Sequence, residues 1–129
     1  MAKRKLPRPT DAELAILRVL WERGPSTVRE VMDALQDERG TVYTTALKLL
    51  QIMTEKGLVC CNSAERTHVF SAVAPAEETQ RQLVFDLLER AFGGSAQQLV
   101  MQALSSKKTS AKELDEIRKF LDDIEKKSR

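Results

Sequence analysis

Thr44, Lys48 and Gln51 are spaced four and three residues apart, with Leu47 and Glu55 on the same arc. On a helix these side chains share one face. Their chemistry is recognition rather than catalysis. Thr and Gln can hydrogen-bond base edges, a Thr methyl or Leu47 can touch thymine methyls, and Lys48 can reach guanine or phosphate. Val42, Ala46, Leu49, Leu50 and Met53 fall on the opposite face, with Thr41, Thr45 and Ile52 at the margins. A helix buried along its back and polar along its front is what major-groove reading requires. A polar front alone also describes any surface helix, so the neighbouring elements must decide.

Three helix starts carry one signature: Thr10-Asp-Ala-Glu13, Thr27-Val-Arg-Glu30 and Ser110-Ala-Lys-Glu113. Each reads as a capping box, in which hydroxyl and carboxylate satisfy two orphan N–H groups. After Thr10, Leu14, Leu17, Leu20 and Trp21 recur at helical spacing until Gly24-Pro25. A short second helix after Thr27 places Val28, Val31, Met32 and Leu35 on one face, and 36–40 reads as a turn. The third helix spans about 41–56 and stops at Gly57. Residues 58–62 and 67–72 are β-prone and joined by a polar link, which predicts a two-stranded hairpin. A lone hairpin is marginal in water, so it must pack on the helices. Three helices followed by a hairpin is the order of a winged helix-turn-helix.

Beyond Pro75, helices are expected at 76–92, after Ser95 and after Ser110. Their apolar positions are Leu83, Leu87, Leu88 and Phe92, then Leu99, Val100 and Leu104, then Leu114, Ile117, Phe120, Leu121 and Ile124. Three such helices bury too little for a core of their own. A second copy of the chain would complete that core, so this module predicts a homodimer. The expected fold is mainly α. It has a basic arm at 1–9, a winged-helix domain at 10–74 with a two-stranded wing, and a three-helix dimerisation module at 75–129.

Composition bounds the rest. The 129 residues carry a formal net charge of +2, so global basicity does not argue for nucleic acid. Residues 1–74 hold 11 Lys/Arg against 9 Asp/Glu, and 75–129 hold 10 against 10. Much of the excess is Lys3, Arg4, Lys5 and Arg8, which suit either a solvated tail or a phosphate-touching arm. Aromatic residues are 5%, so the core is aliphatic and favours helices. Cys60 and Cys61 are adjacent in a strand and point to opposite faces, so they do not share a metal ion or bridge each other. No apolar run follows the basic N-terminus, and none approaches membrane-span length, so a cytoplasmic protein without membrane insertion is expected. No phosphate-cradling glycine loop, nucleophile elbow or cluster of metal ligands is present, which argues against an enzyme and against a cofactor. Arg66 in the wing turn and His68 in the returning strand are candidate backbone or minor-groove contacts.

Together these residues resemble the BlaI/MecI/CopY penicillinase-repressor family over nearly the whole chain, from Thr10 to Glu125. Asp11-Ala-Glu-Leu14 with Val19-Leu-Trp21 is similar to the family's first helix. Val42-Tyr-Thr-Thr45 through Glu55-Lys-Gly-Leu58 resembles its recognition helix, and Arg66-Thr-His-Val-Phe70 its wing strand. Phe92-Gly-Gly-Ser95 and Glu113-Leu-Asp-Glu-Ile117 resemble its C-terminal helices. The resemblance implies a homodimeric repressor on a palindromic double-stranded operator, with Thr44, Thr45 and Lys48 at base-contacting positions. Tyr43 and Gln51 are added as groove readers, and Lys56 and Arg66 as backbone contacts. It also implies induction by proteolysis in the fifth helix, initiated by a membrane-bound zinc metalloprotease sensor.

Four departures stand out. Gln102-Ala103 replaces the Asn-Phe bond cut in well-known members. The C-terminus lacks the Cys-x-Cys of the copper-responsive branch. Cys60 and Cys61 replace basic residues common after the Lys-Gly-Leu turn, and Ile52 stands where Arg is frequent. A winged-helix protein–protein adaptor is the alternative reading, distinguished by having no salt-sensitive duplex affinity.

Overall fold

The structure is a computed structural model describing residues 7–64 and 66–128, with the side chains of 36–39 left aside. Lys3, Arg4 and Lys5 of the expected arm lie outside the described residues. The chain forms two compact units, 1–85 and 86–129.

The first unit begins with α1 (Asp11–Arg23), β1 (Ser26–Thr27), α2 (Val28–Arg39) and α3 (Tyr43–Lys56). The strands β2 (Val59–Asn62) and β3 (Val69–Ala72) follow, then α4 (Ala76–Ala91), whose first part belongs to this unit. Thr10 and Thr27 form complete capping boxes with Glu13 and Glu30. The core gathers Ile16, Leu17 and Leu20 from α1, Val28 and Val31 from α2, and Ala46, Leu50 and Met53 from α3. Leu58, Val59 and Phe70 close it from the sheet side. Trp21 is half-buried, and its Nε1 donates to the Ala74 carbonyl at 3.0 Å, tying α1 to the chain leaving β3.

The sheet has three strands in the order β1-β3-β2, all antiparallel. The hairpin is present as expected, whereas β1 was not foreseen. Two residues are too few to show a period, and the strand exists because Ser26 and Thr27 pair with Phe70 and Val69. Ser26 is buried and satisfies its hydroxyl on the Gly24 carbonyl at 2.9 Å. In β2, Cys60 is exposed beside the Ser71 hydroxyl at 3.2 Å, while Cys61 packs half-buried against the core. The two side chains thus take opposite faces, as strand alternation requires.

Three boundaries differ from the sequence reading. Residues 36–39 continue α2 rather than forming a turn. They include Gln, Glu and Arg, which favour helix, and only Gly40, left-handed at φ 59°, stops it. Val42 is not on the buried back of α3. It is the extended residue before the helix, 56% exposed, and offers no capping oxygen. His68 precedes β3 instead of lying within it.

At the far end of α3, Gly57 adopts φ 85°, where a Cβ would be strained. Leu58 N–H then bonds the Met53 carbonyl at 2.9 Å and Gly57 N–H bonds that of Thr54 at 3.2 Å. This pair of bonds turns the chain from α3 into β2, with Leu58 and Met53 both buried. Nearby, Lys56 Nζ donates to Glu13 Oε1 at 2.7 Å. Glu13 is only 3% exposed. Burial alone would raise its pKa, but the Lys56 hydrogen bond, the Thr10 N–H and the Lys56 charge together hold it below the ordinary 4.5.

The second unit holds the end of α4, then α5 (Ala96–Ser105) and α6 (Ala111–Lys127). Gly93 and Gly94 both take positive φ between α4 and α5. Ser95 and Ser110 cap the next helices through Gln98 N–H and Glu113 N–H, and at Ser110 only this hydroxyl half of the expected box forms. No described side chain of 86–128 is buried.

Two outcomes follow for stability. Gly57→Ala should cost about 1 kcal/mol, because the site leaves room for the methyl but not for its backbone angle; equilibrium denaturation measures this. Lys56→Met strands a buried carboxylate and should cost about 3 kcal/mol at neutral pH. Because the folded pKa of Glu13 is lowered, the pair's contribution is present above 4.5 and is lost as pH falls through the folded value. The gap between wild type and Lys56→Met should therefore narrow in acid, as read from denaturant midpoints. A gap independent of pH would show that Lys56 acts through its alkyl stem alone.

Candidate nucleic-acid interface

The back of α3 is anchored by Ala46, Leu50 and Met53, each at 0% exposure. A helix held this firmly must present its other side outward. Tyr43, Thr44, Thr45, Lys48 and Gln51 are all exposed, on a helix about 21 Å long. Its first turn carries no acidic residue, so nothing there repels a polyanion. Leu47 is half-buried, with one side against the core cluster.

Beside this front runs an open cleft of about 840 Å³. Its α3 wall is made by Tyr43, Leu47 and Gln51. The wing supplies Arg66, Thr67 and His68, and the start of α2 supplies Thr27, Val28 and Arg29. Among the described residues no carboxylate lines it. The structure therefore brings together Tyr43, Gln51, Arg66 and His68 from the sequence-derived set. Thr44, Thr45 and Lys48 lie on the exposed front of the same helix but do not line the cleft.

The Lys56 ammonium is engaged by Glu13 at 2.7 Å and clamps α1 to the end of α3. Sequence reasoning missed Arg29 and Thr27. The signal was the spacing of Thr27 and Arg29 within a capping box, which was absorbed into helix prediction. Only the pairing of β1 with β3 shows that this helix start stands beside the wing.

Ile52 is 37% exposed at the margin of the front. Among the described residues no group of His, Cys, Asp or Glu is arranged to hold a metal ion. No helix among them is long and apolar enough to cross a membrane.

Comparison with known proteins agrees with this architecture. The family model described as penicillinase repressor matches residues 9–123. A transcriptional regulator BlaI from Mycobacterium tuberculosis is 33% identical over 122 residues, covering 94% of this chain and 88% of the relative. A penicillinase repressor from Staphylococcus aureus is 21% identical over 90% of this chain and 92% of its own length. In fold, the chain is similar over part of its length to the solution structure of the monomeric form of Bacillus licheniformis BlaI in complex with the blaP half-operator. The TM-score is 0.51 at 22% identity, covering 59% of this chain and 93% of that one. With the family model spanning most of its length and a relative of that identity, the chain belongs to the penicillinase repressor family.

Proposed function

We propose that this protein is a sequence-specific DNA-binding repressor that acts as a homodimer on a palindromic operator. One observation carries the reading: α3 has a fully buried back and an exposed front of Thr44, Thr45, Lys48 and Gln51, beside a cleft that no carboxylate lines among the described residues. In this mechanism the front of α3, with Tyr43 at its start, reads base edges in the major groove. Arg66 and His68 meet the sugar–phosphate backbone or the adjacent minor groove. Repression is steric, by occupation of a promoter. The relatives are repressors and regulators by name, and the Bacillus licheniformis protein was solved with a half-operator. The family is one of transcriptional repressors, not enzymes.

The functional division places the DNA-binding domain at 10–74, behind a basic arm at 1–9, and dimerisation at 75–129. What supports dimerisation is the state of the second unit. Helices α5 and α6 bury no side chain, while Leu87, Val100, Phe120, Leu121 and Ile124 are all exposed. Leu88, Phe92, Leu99, Leu104, Leu114 and Ile117 of the same unit are half-covered, as is Leu83 in the first. Such a surface needs a partner to be stable in water, and a second copy provides it. Two linked reading heads then bind a palindrome far more tightly than one. The proposed place of action is the cytoplasm. Release is proposed to follow proteolysis prompted by a membrane-bound zinc metalloprotease sensor, at a bond other than the Asn-Phe that Gln102-Ala103 replaces in α5.

Lys48→Ala should weaken binding to a site selected from a random duplex pool by about 1–3 kcal/mol. If Lys48 reads a base the loss is confined to that site, and if it meets phosphate the loss is uniform and the salt slope falls. Unchanged affinity and slope would remove Lys48 from the interface, and a wild-type protein without salt-sensitive duplex affinity would favour an adaptor. For dimerisation, Phe120 is 64% exposed, so Phe120→Asp should leave each subunit folded. Sedimentation should find wild type dimeric at micromolar concentration and the variant monomeric; a monomeric wild type would overturn the two-half-site mechanism.

A further inference from the structure

We propose that Arg29, at the start of α2, is a phosphate-binding residue that acts opposite Arg66 of the wing, the two gripping one DNA strand across the cleft. The inference rests on the DNA-binding reading above. It adds a second wall and a residue that the recognition helix does not contain.

The cleft holds about 840 Å³, open to solvent. Its ionisable lining among the described residues is Arg29, Arg66, His68 and Tyr43, with hydroxyls from Thr27 and Thr67. Neither arginine forms an ion pair with a described residue. The nearest candidate partner in sequence, Glu30, is already committed. It accepts from Thr27 N–H at 2.9 Å and lies 3.6 Å from the Arg23 guanidinium. Two guanidinium groups that face one gap and pair with no described carboxylate create a site for an anion. A planar fork of donors suits phosphate oxygens in particular.

Geometry names the anion. With the front of α3 in the major groove, the wing beside it reaches toward the neighbouring groove. One sugar–phosphate strand separates the two grooves, and it must pass between α3 and the wing. Arg29 stands at that passage because β1 pairs with β3, which sets the start of α2 against the base of the wing. The contact is to backbone, so it adds affinity and register but no sequence preference.

The test uses the full-length protein and a mixed-sequence duplex, titrated over a range of salt. Wild type should bind with a steep negative slope of log K against log salt. Arg29→Ala should lower the magnitude of that slope by about 0.9 and weaken binding roughly fivefold at physiological salt, on any duplex. Arg29→Lys should restore most of the slope, and a duplex with neutral methylphosphonates across the bound stretch should erase the difference between wild type and Arg29→Ala. An Arg29→Ala protein with the wild-type slope overturns the proposal while leaving the DNA-binding reading standing. So does a variant that weakens binding with no change in slope and is not rescued by Lys, since that behaviour belongs to a structural role. A wild-type protein that does not bind duplex overturns both.

Discussion

Exclusion of water from behind one helix organises this molecule. Ala46, Leu50 and Met53 are spaced so that their side chains form a single stripe, and none keeps any exposed surface. Around that stripe, Ile16, Leu17 and Leu20 on one side and Val28 and Val31 on the other make a close-packed seat. A close-packed interior tolerates neither rotation nor sliding of α3 by a residue, because each would open a void or force an overlap. The outward direction of Thr44, Lys48 and Gln51 is thus decided by side chains buried on the far side of the helix. The Lys56–Glu13 bond and the left-handed Gly57 then fix where this helix ends and where the wing begins.

Charge plays a local role rather than a global one. A net charge of +2 on 129 residues attracts a polyanion only weakly at a distance. What matters is where carboxylates have been removed or occupied. Glu13 is taken up by Lys56 and Glu30 by Arg23, and among the described residues none lines the cleft. The same Thr-x-x-Glu pattern that starts α1 and α2 therefore also keeps acidic groups away from the exposed cations. Helix capping and electrostatic field are here two results of one pattern.

Much of this was legible from the sequence. The capping boxes at Thr10 and Thr27, the helical stripe through Leu14, Leu17 and Leu20, and the stop at Gly57 are local signals, and local structure obeys them. The two faces of α3 were readable because period 3.6 is a local property as well. Three things escaped for one reason. The strand β1, the engagement of Lys56 by Glu13 and the place of Arg29 each depend on a partner more than twenty residues away in sequence, as the numbering shows. A charged side chain at a helix end looks alike whether it meets solvent, a buried carboxylate or a cleft. Val42 failed differently: periodicity extended back past the true start of α3 cannot tell a buried position from an extended residue before it.

The two-residue strand β1 has a consequence out of proportion to its length. Thr27 is at once the last residue of that strand, paired with Val69, and the capping residue of α2. The wing is therefore fastened at its base to the helix that faces it, and both walls of the cleft come from one hydrogen-bonded frame. Preorganisation of this kind spares association the entropy of ordering a loop. An interface built so would spend little of its encounter time on rearrangement, and its association rate would be governed by diffusion and orientation alone.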